Sequence, residues 1–446
     1  MNFTLEVFLL LFLPLTLITY RLIKDKNKNL FLLIASVVFY MWQSPASAVV
    51  LLICLVANYL FAKAVDKSKK KTPVVLAVIF NVGLLFVFKY FKLPITPIGI
   101  SFITFTAIAY VVDIYTGKSH FSRNPVNTAL YLAFFPKISM GPITRYSQME
   151  EKLDDPGSDT TDMAEGIIRF VIGLAKKVII ANAMAQRADS LYALAPQNCA
   201  GAISWIASIS YSLQIYFDFS GYSDMAIGLA RMFGFKLKEN FNYPYAASSV
   251  TDFWKRWHIS LSTWFRDYIY IPLGGSRCKK ARMYFNLAVV WILTGIWHGT
   301  TFNFVLWGLW YLILLYIEKP FVKKLAEASN IPLKVLYRIF VLLCVNIGWI
   351  LFRVSDLKLA LFHVKNLFGL NGQPFFTEFV SNVLKDIGGI GIIAIIACLP
   401  ISKWLSVYKD RRWYQIGRIA FTALLFVLSL SYLAHTSYNP FVYLAF

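Results

Sequence analysis

Long apolar stretches recur along the whole chain, and short runs of lysine and arginine separate several of them. Charged residues make up 15% of the 446 residues and hydrophobic residues 58%, whereas about 25% of a soluble domain is charged. So few charges cannot cover a surface in water, which indicates that lipid solvates much of it. The apolar stretches lie at 3–20, 29–42, 48–61, 73–90, 99–112, 129–140, 167–183, 203–219, 285–297, 301–317, 336–352, 387–399 and 416–435.

These stretches predict an all-α polytopic membrane protein. A full span needs about 20 apolar residues, and several stretches are shorter than that. Short apolar pieces in membrane proteins are often tilted, re-entrant or buried among other helices. We therefore expect about ten or more transmembrane helices, together with re-entrant or interfacial ones. No stretch is long and polar enough for a soluble module, so the sequence predicts a single integral-membrane domain over 1–446.

Basic residues cluster after the first and the third apolar stretch. One cluster spans Arg21–Lys28, and the other spans Lys63–Lys71 with only Asp66 opposing it. Because lysine and arginine accumulate in cytoplasmic loops, both clusters are predicted to be cytoplasmic and the N-terminus to lie outside. Basic loops beside anionic lipid also account for the net charge of +21, and we find no nucleic-acid-binding motif.

A segment dense in aromatic and charged side chains contains the first histidine of interest, His258. An amphipathic helix at the membrane interface would explain the aromatic residues alone. Such a helix does not need a histidine, yet His258 falls on the same predicted helical stripe as Trp254 and Trp257, which favours a functional site. Arg266 and Asp267 follow; as neighbours on one helix they are not expected to face each other, so each should have a separate partner.

The second histidine, His298, lies in an uncharged apolar stretch from Asn286 to Leu315. A titratable group in such surroundings is costly unless it works or is well paired. A neutral imidazole that bridges two helices is the structural alternative, and we favour function over it. Burial would keep the imidazole neutral and available as a base. Trp297 and Asn303, which flank it, are candidates for supporting the same site.

Two carboxylates, Asp218 and Asp224, lie six residues apart among aromatic residues. This is not a same-face helical spacing, and Gly221 is predicted to break the helix between them. A non-helical turn at membrane depth would then line a cavity. A structural role, in which Asp218 pairs with an arginine or lysine, carries equal weight with a catalytic one. In either case both carboxylates are predicted to be buried in protein rather than to face lipid.

The sequence lacks the common motifs of metal, nucleotide and hydrolase chemistry. Its five cysteines form no CxxC pair, and it has no HExxH, GxSxG, Walker A or GxGxxG pattern. We therefore expect neither a metal site nor a bound cofactor.

Six runs of the sequence resemble the membrane-bound O-acyltransferase family. The runs are GISFITFTAIAYVVDIYTG, FFPKISMGPITRY, YSLQIYFDFSGYSDMAIGLARMFGFKLKENFNYPY, DFWKRWHISLSTWFRDYIYIPLGG, GIWHGTTFNFVLWG and NPFVYLAF. The resemblance implies a helical fold around a central funnel or tunnel, with N-terminal helices over 1–95, the core over 96–320 and C-terminal helices over 321–446. It also implies that His298 is catalytic and that His258 is the second active-site histidine.

Within that family the chain looks most like the membrane subunit of bacterial alginate and polysaccharide O-acetylation. This resemblance implies a protein of the bacterial cytoplasmic membrane that takes an acetyl group from a cytoplasmic thioester, acetyl-CoA. The acceptor would be a hydroxyl of an extracytoplasmic polysaccharide or of an esterase-like partner protein. The phosphates of CoA would suit the basic loop residues Arg277, Lys279, Lys280 and Arg282.

Three other functions stay open. A D-alanyl transferase acting on teichoic acid has the same two-histidine plan. A transporter of a lipid-linked glycan would use the histidines as a proton relay, although the chain has no obvious two-half symmetry. A non-catalytic scaffold would tolerate the loss of His298, and the density of motifs around the two histidines speaks against it.

The orientation of the first helices can be tested by labelling. Asn27→Cys should resist a membrane-impermeant thiol reagent in intact cells, because its loop is predicted to be cytoplasmic. Ala46→Cys lies in the next short turn, which is predicted to be outside, and should be labelled under the same conditions. Ready labelling of Asn27→Cys would overturn the predicted orientation.

Overall fold

The computed structural model describes residues 2–442 apart from 43, 92, 94, 96, 323–329 and 437. Over these residues the chain is helical, with turns and loops between helices and no β-strand, which confirms the all-α prediction. Part of the predicted C-terminal region (323–329) and the last residues of the NPFVYLAF run (443–446) lie outside the described residues.

In the first group of helices, the helix Ile100–Tyr115 is covered by its neighbours on nearly every side. The chain enters α1 through a π-helical turn at Phe8–Phe12. The helices are α1 (Leu13–Leu22), α2 (Asp25–Met41), α3 (Pro45–Ser68), α4 (Lys71–Tyr90), α5 (Ile100–Tyr115), α6 (Pro125–Ala133), α7 (Phe135–Ile138), α8 (Glu150–Asp154), α9 (Thr160–Ala175) and α10 (Asn182–Tyr192).

The second group of helices starts with α11, which is also buried along almost its whole length. π-Helical turns follow α9 at Lys176–Ala181 and α13 at Arg266–Tyr270. The helices are α11 (Gly201–Met232), α12 (Val250–Arg256), α13 (Ile259–Phe265), α14 (Lys280–His298), α15 (Phe302–Glu318), α16 (Ile331–Arg353), α17 (Leu357–Leu367), α18 (Glu378–Ala397), α19 (Ile401–Leu405) and α20 (Arg412–His435). Short 3₁₀ turns lie at Tyr146–Gln148, Pro196–Asn198, Pro244–Ala246 and Ser406–Tyr408.

Five helices of the described residues are long and apolar enough to cross a bilayer, namely α3, α4, α16, α18 and α20. Three shorter apolar helices cover Phe8–Leu22, Ile100–Tyr115 and Phe302–Glu318. The protein is thus a multi-pass membrane protein, and the larger number of spans stays a prediction. Some apolar sequence is used inside the protein instead, since nearly every residue of α5 is covered by neighbouring helices.

The buried centre of the fold is the contact between α9 and α11, where the two backbones touch. A Cβ atom on Gly221 would lie 2.8 Å from the carbonyl oxygen of Gly173, and one on Gly173 would lie 2.5 Å from that of Gly221. A second reciprocal pair, Gly166 and Gly228, has the same relation at 2.7 and 2.6 Å. Small residues allow this close approach of helices where lipid supplies no hydrophobic driving force.

The prediction that Gly221 breaks a helix is therefore wrong. The helix α11 continues through it from Gly201 to Met232. Gly221 serves the contact with α9 rather than a turn, because any side chain there would collide with the facing backbone. No loop at this position lines a cavity, and the two carboxylates lie on one continuous helix.

The carboxylates of α11 are buried and paired, as the structural alternative for Asp218 predicted. The Asp218 carboxylate lies 2.7 Å from Lys177 Nζ, and both side chains are 1% exposed. Asp224 lies 2.6 Å from Arg169 and 2.7 Å from Lys176. The cations come from α9 and its π-helical turn, so the ion pairs join the same two helices as the glycines.

The buried pair yields a stability prediction. Asp218→Asn should lower the thermal unfolding temperature in detergent and the yield of inserted protein, because Lys177 would keep a buried charge without its carboxylate. Breaking such a pair costs about 3–5 kcal/mol. Asp155→Asn, at an exposed position, is the control and should behave like the wild type. Equal tolerance of both changes would contradict this account of the α9–α11 contact.

Candidate active site

His258 and His298, forty residues apart in sequence, line the same half-open cavity of about 620 Å³. Their side chains are almost fully enclosed, with His258 2% and His298 3% exposed. Trp254, Trp257 and Arg266, which the sequence analysis also selected, lie on the same wall. The structure thus brings together five of the residues predicted to form the site.

His258 lies at a break between α12 and α13 rather than on one helix. Its backbone adopts the left-handed conformation (φ 43°, ψ 54°), which is uncommon for a residue with a side chain. The predicted single helical stripe through Trp254, Trp257 and His258 is therefore wrong, because the chain turns at Trp257. The turn directs the imidazole into the protein, where the Phe219 ring meets it edge-on at 4.6 Å.

The short helix α12 is held in place by a buried carboxylate from another helix. Glu318, at the end of α15, accepts hydrogen bonds from the backbone N–H groups of Val250 and Thr251 at 2.7 and 2.8 Å. A carboxylate at this position satisfies N–H groups that have no partner within the helix and complements the helix dipole. Tyr337 donates a further hydrogen bond to Glu318 at 2.7 Å, so α12, α15 and α16 are tied together.

His298 is the last residue of α14, and side chains of α4 cap the end of that helix. The Lys89 ammonium donates to the carbonyl oxygen of Trp297, and the Tyr90 hydroxyl donates to that of Ile296 at 2.8 Å. The last carbonyls of a helix lack partners within it, and a cation there complements the helix dipole. The two caps fix the direction in which the chain presents His298.

Glycines set the distance between α14 and α15. A Cβ atom on Gly295 would lie 2.6 Å from the carbonyl oxygen of Phe304, and one on Gly308 would lie 2.6 Å from that of Trp291. The helices can therefore lie backbone against backbone just before His298. This contact brings Trp307 of α15 within reach of the imidazole, with ring centroids 4.9 Å apart.

Aromatic rings surround the two imidazoles. Trp297 lies 4.6 Å from the His298 ring and 6.4 Å from the His258 ring, measured between centroids. Phe352 of α16 meets His298 edge-on at 5.1 Å. A predominantly apolar wall of this kind limits water near the histidines and strengthens the hydrogen bonds that they make.

The charged side chains on the cavity wall are all cationic. They are Lys255, Arg266 and Lys319, and all three residues are exposed to solvent. No carboxylate occurs among the described residues that line the cavity, so the wall favours an anionic ligand. The basic loop residues selected from the sequence lie elsewhere and do not line the cavity; they are Arg277, Lys279, Lys280 and Arg282.

Arg266 and Asp267 contact each other, contrary to the prediction. Arg266 Nε lies 2.8 Å from a carboxylate oxygen of Asp267. Both residues belong to the π-helical turn that follows α13, so the side-chain directions of a regular α-helix do not apply. Asp267 also pairs with Arg145, which is the separate partner that the sequence analysis expected for it.

The remaining predicted residues have structural contacts outside the cavity. Asn303, in the first turn of α15, donates to the carbonyl oxygen of Leu351 at 3.1 Å and so joins α15 to α16. Asp218 and Asp224 are engaged by cations of α9 and its π-helical turn and do not line the cavity.

The sequence analysis missed three residues that hold the site together, Lys89, Asn240 and Glu318. Lys89 and Glu318 lie at the ends of apolar helices, where a charged residue is common and does not by itself indicate a functional site. Asn240 lies in the run KENFNYPY, and its Oδ1 is 3.2 Å from His258 Nδ1. A third buried histidine, His363, contacts the Ser204 hydroxyl through Nδ1 at 3.0 Å and does not line the cavity. Within the described residues, no three histidine, cysteine, aspartate or glutamate side chains gather as a metal site would require.

The fold and the cavity define a multi-pass helical membrane protein with a cavity lined by two buried histidines. A sequence model of the membrane-bound O-acyltransferase family matches residues 121–352, a range that includes both histidines. The chain belongs to the membrane-bound O-acyltransferase family and is an O-acyltransferase.

Relatives with named substrates cover most of the chain. A probable alginate O-acetylase of Pseudomonas aeruginosa is 38% identical over 386 residues, which are 81% of this chain and 73% of the relative. A peptidoglycan O-acetyltransferase of Helicobacter pylori is 34% identical over 423 residues, covering 83% and 80%. A teichoic acid D-alanyltransferase of Bacillus subtilis is 32% identical over 233 residues, covering 50% and 58%.

The close contact of α14 and α15 can be tested with Gly295→Ala. The added methyl group would lie 2.6 Å from a backbone oxygen, so the helices must separate and move His298. Overpacking of this kind costs about 1–3 kcal/mol, so we expect a lower unfolding temperature in detergent. Gly83→Ala in α4 is the control, because a Cβ atom there meets nothing within 4 Å. If both variants unfold like the wild type, the contact does not position His298.

Proposed function

We propose that the chain transfers an acetyl group from a cytoplasmic thioester, acetyl-CoA, to a hydroxyl group outside the membrane. The observation that carries the proposal is the convergence of the buried residues His258 and His298 on one cavity in a member of an O-acyltransferase family. The acceptor is a hydroxyl of an extracytoplasmic polysaccharide or of an esterase-like partner protein. The relatives that cover most of the chain are named for O-acetyl transfer to alginate and peptidoglycan.

In the proposed reaction, the proton of the acceptor hydroxyl is transferred first to His298 and then to the departing thiolate. The acceptor hydroxyl oxygen attacks the thioester carbonyl carbon while neutral His298 takes the hydroxyl proton. The carbon–sulfur bond then breaks, the ester forms, and the imidazolium returns the proton to the departing thiolate. His258 has one of three roles in this reaction. It orients His298, forms a hydrogen bond with the carbonyl oxygen of the thioester, or passes a proton.

The cavity suits a donor that combines an apolar reacting end with negative charge. Its volume of about 620 Å³ is within the usual range of roughly 300–1,000 Å³ for small-molecule sites. Lys255 and Lys319 supply positive charge for the phosphates of CoA, whereas the charge of Arg266 is partly compensated by Asp267. The aromatic side chains around His298 would keep water from hydrolysing the thioester.

If the acyl group crosses the membrane, the two histidines act between the cytoplasm and the outer side of the membrane. We propose that the protein lies in the bacterial cytoplasmic membrane with its N-terminus outside, so that its basic loops face the cytoplasm where acetyl-CoA is made. The acyl group would then leave the cavity on the opposite side. A route between helices would keep the reacting groups away from lipid.

D-Alanyl transfer to teichoic acid is the second candidate. It is favoured by the relative of Bacillus subtilis, which is 32% identical over half of the chain. Acetyl transfer is preferred because the acetylating relatives extend over 81% and 83% of the chain.

The acceptor and the acyl group can be identified together. We expect deletion of the gene in its host to remove base-labile acetate from either the exopolysaccharide or the peptidoglycan, with the plasmid-borne gene restoring it. Loss of esterified D-alanine in place of acetate would establish the second candidate. Unchanged amounts of both esters would contradict the proposed acyl transfer to these polymers.

The two histidines provide the sharpest test of the mechanism. His298→Ala should insert normally and lower ester formation by about 10²–10⁴-fold, as expected for loss of a general base. His258→Ala should also reduce ester formation, and the double variant should be little worse than the poorer single one, because residues that act as a unit are not additive. His120→Ala, at an exposed position, is the matched control and should retain activity.

Losses that multiply in the double variant would assign separate roles to the two histidines, with donor binding by His258 as one such role. Full activity of His298→Ala at normal protein levels would contradict the proposed mechanism and would favour a scaffold.

A further inference from the structure

Asn240 is a fully buried polar residue beside His258, in the loop between α11 and α12. Its Oδ1 atom lies 3.2 Å from His258 Nδ1, and the same oxygen accepts hydrogen bonds from the backbone N–H and the hydroxyl of Ser260 at 3.1 and 2.9 Å. Its Nδ2 atom donates to the hydroxyl of Ser223 in α11 at 3.2 Å. Every polar atom of the amide is thus engaged in a defined direction.

The orientation of this amide is fixed by the chain itself. A backbone N–H group can only donate, so the atom that receives the Ser260 N–H must be the oxygen of Asn240 and not its nitrogen. The usual ambiguity between the two ends of an asparagine side chain therefore does not arise here. The oxygen, and not the amino group, faces His258.

This orientation determines the tautomer of His258. An amide oxygen can only accept, so a hydrogen bond at 3.2 Å requires the proton to be on Nδ1. An imidazolium is costly to bury, which favours the neutral ring in this cavity. In the neutral ring with a proton on Nδ1, the other nitrogen, Nε2, carries a lone pair and can only accept a hydrogen bond or a proton.

The backbone of Asn240 supports the same arrangement. Its carbonyl oxygen accepts from the backbone N–H of Ile259 at 2.9 Å, directly after the left-handed His258. Side chain and main chain of one residue therefore hold both the ring and the backbone turn that presents it. Ser223 extends this support to α11, next to the buried Asp224 ion pairs.

We infer that Asn240 is a positioning residue that holds His258 with its proton on Nδ1, so that Nε2 acts as an acceptor in the active site. This inference rests on the proposed function for its catalytic meaning and narrows the roles of His258. A neutral Nε2 without hydrogen cannot donate to the carbonyl oxygen of a thioester. His258 therefore accepts, either from an N–H group that it orients or from the proton in transfer.

The tautomer can be measured without any substrate. Nitrogen-15 labelling of the histidines, with His258→Gln to identify the signals of His258, should give a protonated Nδ1 and an unprotonated Nε2 at neutral pH in the full-length protein. A protonated Nε2 would overturn the inference. The result is independent of the proposed acetyl transfer, so a protein inactive with acetyl-CoA would count against the proposed function alone.

Activity distinguishes positioning from simple support of the fold. Asn240→Leu should lower ester formation by about 10- to 100-fold, the range for removing a partner that orients a functional imidazole. Asn240→Asp keeps an oxygen for the Nδ1 proton and should retain more activity. Its carboxylate would favour the imidazolium, so the acid limb of the pH–rate profile should move to higher pH.

Ser260→Ala removes one hydrogen bond to the same Asn240 oxygen without touching His258, and it should cost little activity. A loss as large as that of Asn240→Leu would show that Asn240 serves only the local fold and would overturn the inference. Equal activities of the Leu and Asp variants with an unshifted pH profile would do the same. If Asn240→Leu fails to accumulate, the pH profile of Asn240→Asp decides.

Discussion

The close contact of α9 and α11 is the constraint on which the rest of the structure depends. Lipid gives helices no hydrophobic reason to associate, so close backbone packing and buried polar contacts must hold them. Here two reciprocal glycine pairs let the backbones touch, and ion pairs of Asp218 and Asp224 lock the same surfaces. Because α11 is buried along nearly its whole length, the surrounding helices are arranged around it.

The site combines two histidines that are supported in different ways. His258 lies at a sharp turn between two short helices, and Glu318 anchors the first of them. His298 ends a long helix whose last carbonyls are capped by Lys89 and Tyr90. In both arrangements, charged or polar side chains from distant helices hold the backbone next to the histidine in place. The imidazoles themselves face the cavity.

The cavity wall accounts for a chemistry that relatives with different acceptors could share. Aromatic side chains surround the two histidines, and exposed cationic residues line the same cavity. The proposed thioester donor would need both properties, whereas the proposed acceptor would only have to present a hydroxyl group. Relatives named for alginate, peptidoglycan and teichoic acid are all similar to this chain, in keeping with a common transfer centre and separate acceptor recognition.

The sequence alone determined the helical membrane class and singled out His298 as a candidate, because apolar length and the cost of a titratable group in hydrocarbon are local properties. It also pointed to His258, although the helical stripe used to argue for that residue does not exist in the fold. It failed at Gly221, at the turn of His258 and at the Arg266–Asp267 pair, since a backbone contact or a π-helical turn overrides the regular helical period there. Only the tertiary structure could place Asn240 against His258 and Lys89 against the end of α14. Those contacts join residues that are far apart in the chain, and neither residue type is unusual where it stands, so their roles exist only once the helices have packed.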